Sequence, residues 1–217
     1  LFLSDHGEML GEHGLWFKMS FFEGSSRVPL MIAAPEMPAG LVESPVSSID
    51  LAPTLAALAG ISMEEVAPWT EGVNLIPVAN GAPRPPVAME YAAEGTITPM
   101  VALRDGAWKY IRCPADPELL FDVANDPCER VNLAQDPRVA EILAHFRALA
   151  DTRWELVAYD AQVRESQARR WVVYEALRNG AYFPWDHQPL RAASERYMRN
   201  HMDLNILEES KRFPRGE

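Results

Sequence analysis

Apolar and polar positions are grouped along this chain in blocks that predict both strands and helices. The chain opens on the apolar run Leu1 to Leu3, and a second continuous apolar run extends from Val28 to Ala34 before Pro35. Short apolar runs of this kind are typical of strands that are covered on both faces. We therefore expect both segments to be buried strands of an α/β sheet.

A helix is predicted for residues 48 to 59. Ser47 or Ser48 can cap it, Pro53 is tolerable only near its start, and Gly60 marks its end. The side chains expected to enter the core are Ile49, Leu51, Leu55 and Leu58. Many prolines and turn formers follow in residues 67 to 86, which predicts a surface excursion.

A small antiparallel sheet is predicted in the middle of the chain. Met100 to Arg112 has the pattern of a hairpin, with Asp105 and Gly106 as its two-residue turn. Further strands are expected at residues 87 to 91 and 118 to 123. Since Asp105 serves as a turn former here, we do not expect it to be catalytic.

The last strong pattern is helical. Asp136 can cap this helix and Pro137 can be its first residue. The apolar periodicity continues to Arg178, with a break near Asp151, and it places His145 on the surface.

The composition limits the classes of function. The 217 residues are 48% hydrophobic, which is enough for one domain with an extension. The net charge of -11 argues against nucleic acid as a partner, because that binding needs basic patches. No apolar run approaches the roughly 20 residues that span a bilayer, so we expect no membrane partner. Two cysteines favour a reducing, cytoplasmic location, with a signal peptide as the open alternative.

The strongest candidate for chemistry lies in the first turn-rich segment. Asp5 and His6 follow an apolar strand, and the loop that they open ends at Lys18 after Gly7, Gly11 and Gly14. A carboxylate oxygen beside an imidazole nitrogen suits a divalent cation. Lys18 adds a compact positive charge that can hold an anionic oxygen or a leaving group. An Asp-His pair alone is more often a loop or a cap, but the glycines, the strand and the lysine favour a metal site.

Two motifs resemble those of a known family. Residues 4 to 7 (SDHG), residues 11 to 14 (GEHG) and Lys18 resemble the second metal-binding segment of the sulfatase branch of the alkaline phosphatase superfamily. Residues 102 to 111, together with 118 to 122 and 125 to 127, resemble the carboxyl-terminal subdomain of sulfatases. The order of the two motifs is that of the family.

The tail narrows this resemblance. Residues 185 to 189 and residues 197 to 214 are similar to the closing segment of bacterial choline-sulfatases. The implied fold class is α/β, the end of an alkaline-phosphatase-like sheet domain plus a small antiparallel-sheet and helix subdomain with an extended tail. The implied division is 1–98 for the catalytic α/β domain, 99–180 for the small subdomain and 181–217 for the tail.

The resemblance implies the hydrolysis of a sulfate ester, choline sulfate above all, with a divalent metal ion as cofactor. Calcium is the family's usual metal, and manganese or magnesium are the alternatives. The family's nucleophile is a formylglycine made in a C-x-P-x-R context, and neither Cys113 nor Cys128 lies in such a context. We therefore expect the formylglycine upstream of Leu1, interpret the chain as the carboxyl-terminal part of a longer enzyme, and expect the chain alone to be inactive.

The resemblance also implies roles for single residues. Asp5 and His6 would be metal ligands, and Lys18 would contact the sulfate or the leaving oxygen as a catalytic and substrate-binding residue. His13 either faces the substrate anion or holds the loop through a hydrogen bond. Asp203 either binds the choline head, in a tail that reaches a neighbouring subunit, or is a surface residue.

Aromatic side chains and assembly leave further alternatives open. Trp16, Phe17, Phe21 and Phe22 are expected to pack, with one of them facing a quaternary ammonium as the alternative. Tyr182, Phe183 and Trp185 would pack on a neighbouring layer or join a subunit interface, and a homo-oligomer is expected through the C-terminal helix and tail. The alternative functions are a phosphonate or phosphate ester hydrolase of the same superfamily and a non-catalytic assembly module.

Overall fold

The computed structural model describes residues 1–35, 37–63, 68–93 and 96–177. The chain divides into two compact units, Leu1–Arg164 and Glu165–Glu217. Both sheets lie in the first unit. Among the described residues, none of the helices has the length and apolarity to cross a membrane. The predicted tail, 181–217, lies outside the described residues.

The two predicted buried strands pair with each other. β1 is Phe2–Leu3 and β2 is Leu30–Met31, and they form an antiparallel pair with Leu3 opposite Leu30. The prediction that both faces are covered is wrong for the described chain, since Phe2 and Met31 are 60% and 59% exposed. Pro29 directly precedes β2 and cannot donate a ladder hydrogen bond, which limits the length of the pair.

Two short helices follow in sequence. α1 is the single turn Glu23–Ser26, and α2 is Leu51–Leu58, entered through a 3-10 turn at Ser48–Asp50. The Ser47 amide donates to Asp50 Oδ2 at 2.8 Å, which completes a capping box. The helix predicted for residues 48 to 59 is therefore confirmed.

The face that α2 buries differs from the prediction. Ile49 and Leu55 are 46% and 51% exposed, whereas Thr54 is fully buried. Thr54 Oγ1 donates to the Asp50 carbonyl at 2.6 Å and accepts from the Leu75 amide at 2.9 Å. Two hydrogen bonds thus turn this polar side chain toward the next helix, and the apolar stripe faces outward.

The predicted surface excursion contains a helix. α3 is Leu75–Ala79, and both Leu75 and Val78 are buried. The Asn74 side chain caps it by accepting from the Ile76 amide at 3.0 Å. The prediction of an irregular surface segment over residues 67 to 86 is therefore wrong for α3, because a short capped turn can bury its two apolar side chains without a long periodic pattern.

A four-stranded antiparallel sheet forms the centre of the first unit. Its strands are β3 (Val87–Tyr91), β4 (Met100–Asp105), β5 (Trp108–Arg112) and β6 (Leu119–Asp122), in the order β3-β4-β5-β6. The predicted sheet and hairpin are confirmed. The turn lies one residue later than expected, because Asp105 pairs with Trp108 and leaves residues 106 and 107 in the loop.

The two faces of this sheet have different neighbours. On one face Leu103, Tyr110 and Leu120 pack with Phe146 of the following helix. On the other face a second cluster forms from Phe21, Ala102, Ile111, Phe121 and Val123. The second face thereby contacts the segment just before α1.

The helical region begins and breaks as single turns dictate. Asp136 caps a 3-10 turn by accepting from the Arg138 amide at 2.9 Å, and α4 follows as Ala140–Arg153. The break lies at residues 154 and 155, slightly later than predicted, and α5 is Leu156–Leu177. His145 is exposed, as predicted.

The predicted three-part division of the chain stays a prediction. β3 precedes the expected boundary at residue 98, yet it pairs with β4 over its whole length, from Val87 opposite Arg104 to Tyr91 opposite Met100. The compact first unit runs through both predicted parts.

Candidate active site

The Asp-His pair lies in an open loop directly after β1. His6 Nδ1 lies 2.8 Å from the Gly7 carbonyl oxygen, and it donates because a carbonyl only accepts. This bond leaves the lone pair of Nε2 free to bind a cation or to accept a proton. Asp5 Oδ2 lies 3.7 Å from that Nε2, and the Asp5 side chain is 85% exposed. Two donor atoms therefore face one point.

The carboxyl group of Asp5 is held in its ionised form. The His6 amide donates to Asp5 Oδ1 at 3.0 Å. This hydrogen bond, followed by the charge of the neighbouring imidazole, lowers the pKa of Asp5 below its usual value. Asp5 is thus an anionic ligand over the whole neutral range.

Lys18 joins the pair from the other end of the loop. Its Nζ donates to His6 Nε2 across 3.2 Å. The Ser25 hydroxyl donates to the Lys18 carbonyl and also, at 3.0 Å, to the Ser20 carbonyl. Asp5, His6 and Lys18 are therefore brought together, and we call these three residues the site triad.

Gly7 fixes the approach of α1 to the site triad. The Gly7 amide donates to the Ser25 carbonyl at 2.8 Å. A Cβ atom at Gly7 would lie 2.1 Å from the Gly24 carbonyl oxygen, which no side chain tolerates. This close approach of two backbones requires a glycine.

Gly7→Ala is accordingly expected to destabilise the full-length protein. Overpacking against backbone costs about 1–3 kcal/mol, or a fall of a few degrees in Tm, and the site triad should lose turnover with it. Thermal unfolding by circular dichroism measures the first effect. Gly24→Ala is the matched control, since the atoms nearest to its Cβ are the side-chain ends of Glu12 and Met9 at 3.3 Å. Equal Tm values for the Gly7 variant and the wild type would contradict the close approach.

His13 lies apart from the site triad. Its Nε2 donates to the Cys128 carbonyl at 3.0 Å, and its ring stacks on Phe22 with centroids 4.0 Å apart. The backbone of His13 is left-handed, with φ of 51°. The geometry matches the loop-holding alternative, and contact with the substrate anion stays a prediction.

The aromatic residues near the loop differ in burial. Phe21 is buried and Phe22 packs on Phe121 at 6.0 Å between ring centroids, as expected of packing residues. Trp16 and Phe17 are 67% and 66% exposed, so the expectation that they pack is wrong in the described chain. Their aromatic faces are available directly before Lys18.

The site triad can supply part of a metal site. Asp5 and His6 fit as two ligands, because the tautomer of His6 is fixed and both donors point the same way. Within the described ranges, no group of three or more His, Cys, Asp or Glu residues is arranged to hold a metal ion. Asp203, Tyr182, Phe183 and Trp185 lie outside the described residues.

The sequence analysis missed the residues that support the site triad. Ser25 and Gly24 of α1 contact the loop, and Glu23 pairs with Lys109 of β5 across 2.5 Å. A signal was present, since strand alternation puts Lys109 on the same face as the apolar Ile111. A lysine at such a position needs a buried anionic partner.

Comparison with known proteins agrees with this architecture. Residues 11–155 match the family model of the N-sulphoglucosamine sulphohydrolase C-terminal domain, and residues 161–213 match that of the choline sulfatase enzyme C terminal. The choline-sulfatase of Rhizobium meliloti (strain 1021) is 64% identical over 221 residues, which cover 100% of this chain and 43% of that protein. Arylsulfatase K of Danio rerio is 40% identical over 159 residues, 66% of this chain and 29% of that protein.

Solved structures show the same fold. A 2-O GAG sulfatase superposes with a TM-score of 0.59 at 30% identity, covering 77% of this chain and 37% of the other. The phosphonate monoester hydrolase of Agrobacterium radiobacter superposes with a TM-score of 0.53 at 29% identity, covering 75% and 34%. The predicted fold class is thereby confirmed. The chain spans less than half the length of these curated relatives and structures, and it belongs to the sulfatase family, of which it carries the carboxyl-terminal part.

Proposed function

We propose that the full-length protein hydrolyses sulfate esters and that choline sulfate is its substrate. The convergence of Asp5, His6 and Lys18 on one point carries this proposal, with His6 Nε2 lying 3.7 Å from Asp5 Oδ2 and 3.2 Å from Lys18 Nζ. The identity of 64% with the Rhizobium choline-sulfatase supports the choice of substrate.

The chain's residues would act on charge. Asp5 and His6 would hold a divalent metal ion, calcium by resemblance and manganese or magnesium as alternatives, which when bound stabilises negative charge on the sulfuryl oxygens. The lone pair of His6 Nε2 can serve a metal ion or Lys18, but not both. Lys18 would then turn its ammonium to the sulfate or to the leaving oxygen of choline.

The nucleophile is proposed to lie outside residues 1–217. Cys113 is buried and neither it nor Cys128 lies in a C-x-P-x-R context. A formylglycine in the upstream part of the protein would attack sulfur, and the S–O bond to choline would break. Choline would leave as the alcohol after it takes up a proton.

Choline recognition is proposed to combine aromatic faces with a carboxylate. A quaternary ammonium has no N–H donor, so aromatic rings and negative charge are the groups that bind it. The exposed rings of Trp16 and Phe17 support this proposal from the described part of the chain. Asp203 of the tail is the proposed carboxylate, and His13 is retained as a second candidate for contact with the substrate.

A homo-oligomer is proposed through the C-terminal helix and tail, and a cytoplasmic location is retained as a prediction. Apolar side chains near the end of α5 support the oligomer, since an exposed patch of this kind favours a protein contact. Their exposure lies between 54% and 71%, and they are Trp171, Val172, Val173, Tyr174 and Leu177.

The alternative function is hydrolysis of phosphonate or phosphate monoesters, favoured by the superposition on the phosphonate monoester hydrolase. One preparation of full-length protein should be assayed with choline sulfate, choline phosphate and a phenyl phosphonate monoester. We expect kcat/KM for choline sulfate to exceed the others by at least about a hundredfold, because a difference near 3 kcal/mol in transition-state binding separates the ester classes. A phosphonate preference would establish the alternative, and no turnover of any ester would leave the assembly module.

A further inference from the structure

A buried ion cluster lies between the site triad and the four-stranded sheet. Lys109 of β5 is 1% exposed, and its Nζ lies 2.5 Å from Glu23 Oε1 and 2.9 Å from Glu129 Oε1. Nζ also donates to the Phe21 carbonyl at 2.8 Å. One ammonium therefore connects the strand, the segment that leads into α1 and the loop after β6.

Glu129 connects the same parts a second time. Its Oε2 accepts from the Glu23 amide at 2.6 Å, at the first residue of α1. The Glu129 backbone is left-handed, with φ of 53°, which is unfavourable for a residue other than glycine. The surrounding contacts hold this residue in place, and its carboxylate fixes the start of α1.

α1 in turn holds both ends of the catalytic loop. The Ser25 hydroxyl donates to the Lys18 carbonyl, and the Ser25 carbonyl accepts from the Gly7 amide at 2.8 Å. Gly7 follows His6 directly. A continuous series of contacts thus runs from Lys109 through Glu23 and Ser25 to the two sides of the site triad.

The charges explain why Lys109 matters most in this series. Its ammonium lies between two carboxylates that are 14% and 2% exposed, so its removal would leave two anions facing each other away from water. Their repulsion would push Glu23, and α1 with it, away from the sheet. The carbonyl that holds Lys18 would then move.

We propose that Lys109 is a positioning residue, which sets the place of Lys18 and His6 through Glu23, Glu129 and Ser25 without contact with the substrate. This inference rests on the proposed function of Lys18. Displacement of a catalytic group by about 1 Å can cost up to a hundredfold in rate.

The test is a double-mutant cycle in the full-length protein with choline sulfate as substrate. Lys109→Met is expected to lower kcat by about tenfold or more in the wild-type background, but by less than about twofold in the Lys18→Ala background, because its effect runs through Lys18. Arg84→Met is the matched control. Arg84 forms another buried pair, with Nε 2.8 Å from Asp50 Oδ2, and its loss should lower Tm while kcat stays within about twofold of wild type.

A second measurement covers a Lys109→Met variant that is poorly folded. Ser25→Ala removes one hydroxyl and should repeat the same non-additive pattern with Lys18→Ala. Hydrogen exchange of the Gly7 amide should be about tenfold faster in either variant and unchanged in Arg84→Met, because that amide donates to the Ser25 carbonyl. Equal losses of kcat in both backgrounds, or an equal loss in Arg84→Met, would overturn the positioning role. A wild type without sulfatase activity would instead refute the proposed function.

Discussion

Asp5→Ala in the full-length protein is expected to lower the turnover of choline sulfate by about a hundredfold or more, because an anionic metal ligand disappears. His6→Ala should have the same effect more mildly, at about tenfold or more. Both variants should bind less metal. Elemental analysis of the purified proteins, together with initial rates, measures the two effects.

The control for Asp5 is an aspartate of similar exposure outside the loop. Asp116, in the turn after β5, is exposed, and Asp116→Ala should keep both the metal content and the rate. Unchanged metal occupancy in the Asp5 and His6 variants would remove the metal site from this loop. The lowered pKa of Asp5 adds a further expectation, since an ionised ligand at lower pH keeps its metal on mild acidification.

Lys18→Ala is expected to lower kcat by about a hundredfold while the metal content changes little, because its ammonium serves the substrate or the leaving oxygen. Lys18→Arg should not restore the rate, since a planar guanidinium cannot replace a compact ammonium without displacing the anion. Steady-state kinetics and metal analysis of the same samples separate the two roles.

The matched control removes one exposed cation elsewhere. Arg130 is exposed next to the buried Glu129, and Arg130→Ala should leave kcat near the wild-type value. Near-normal turnover in either Lys18 variant would exclude the assigned role. A parallel loss of metal and rate would make Lys18 a support of the metal ligands rather than a partner of the substrate.

Local sequence determined the elements of this protein well where one short pattern contains the whole signal. The turn residues near Gly106 are flanked by β-forming runs, and the hairpin formed one residue from its expected position. Asp136 before Pro137 supplied a cap and a compatible first residue, and the helical region starts there. Such signals work because the interacting groups are a few residues apart.

The same local logic identified the site triad. Asp5, His6 and Lys18 lie within one glycine-rich loop, and the distance from Lys18 Nζ to His6 Nε2 closes over only 12 residues. A short loop brings its ends together at low entropic cost, so composition and spacing were sufficient to propose the group.

Burial direction was not determined locally. The pattern of α2 favoured Leu55 as a core residue, yet Thr54 is buried through its hydrogen bonds to the Asp50 carbonyl and the Leu75 amide. The second partner lies 21 residues away. Which face of a helix is covered depends on the neighbour that packs there, and periodicity alone does not contain that neighbour.

Only the tertiary structure decided what supports the site. The sequence shows that Lys109 lies on an apolar strand face, but it offers 31 acidic residues as partners. The fold selects Glu23 and Glu129, whose own contact spans 106 residues. His13 and Cys128 are likewise 115 residues apart. The sequence by itself determined the elements and the chemistry of the loop, whereas the long-range pairs depend on how the sheet and α1 pack together, because charge attraction alone does not distinguish one carboxylate from another.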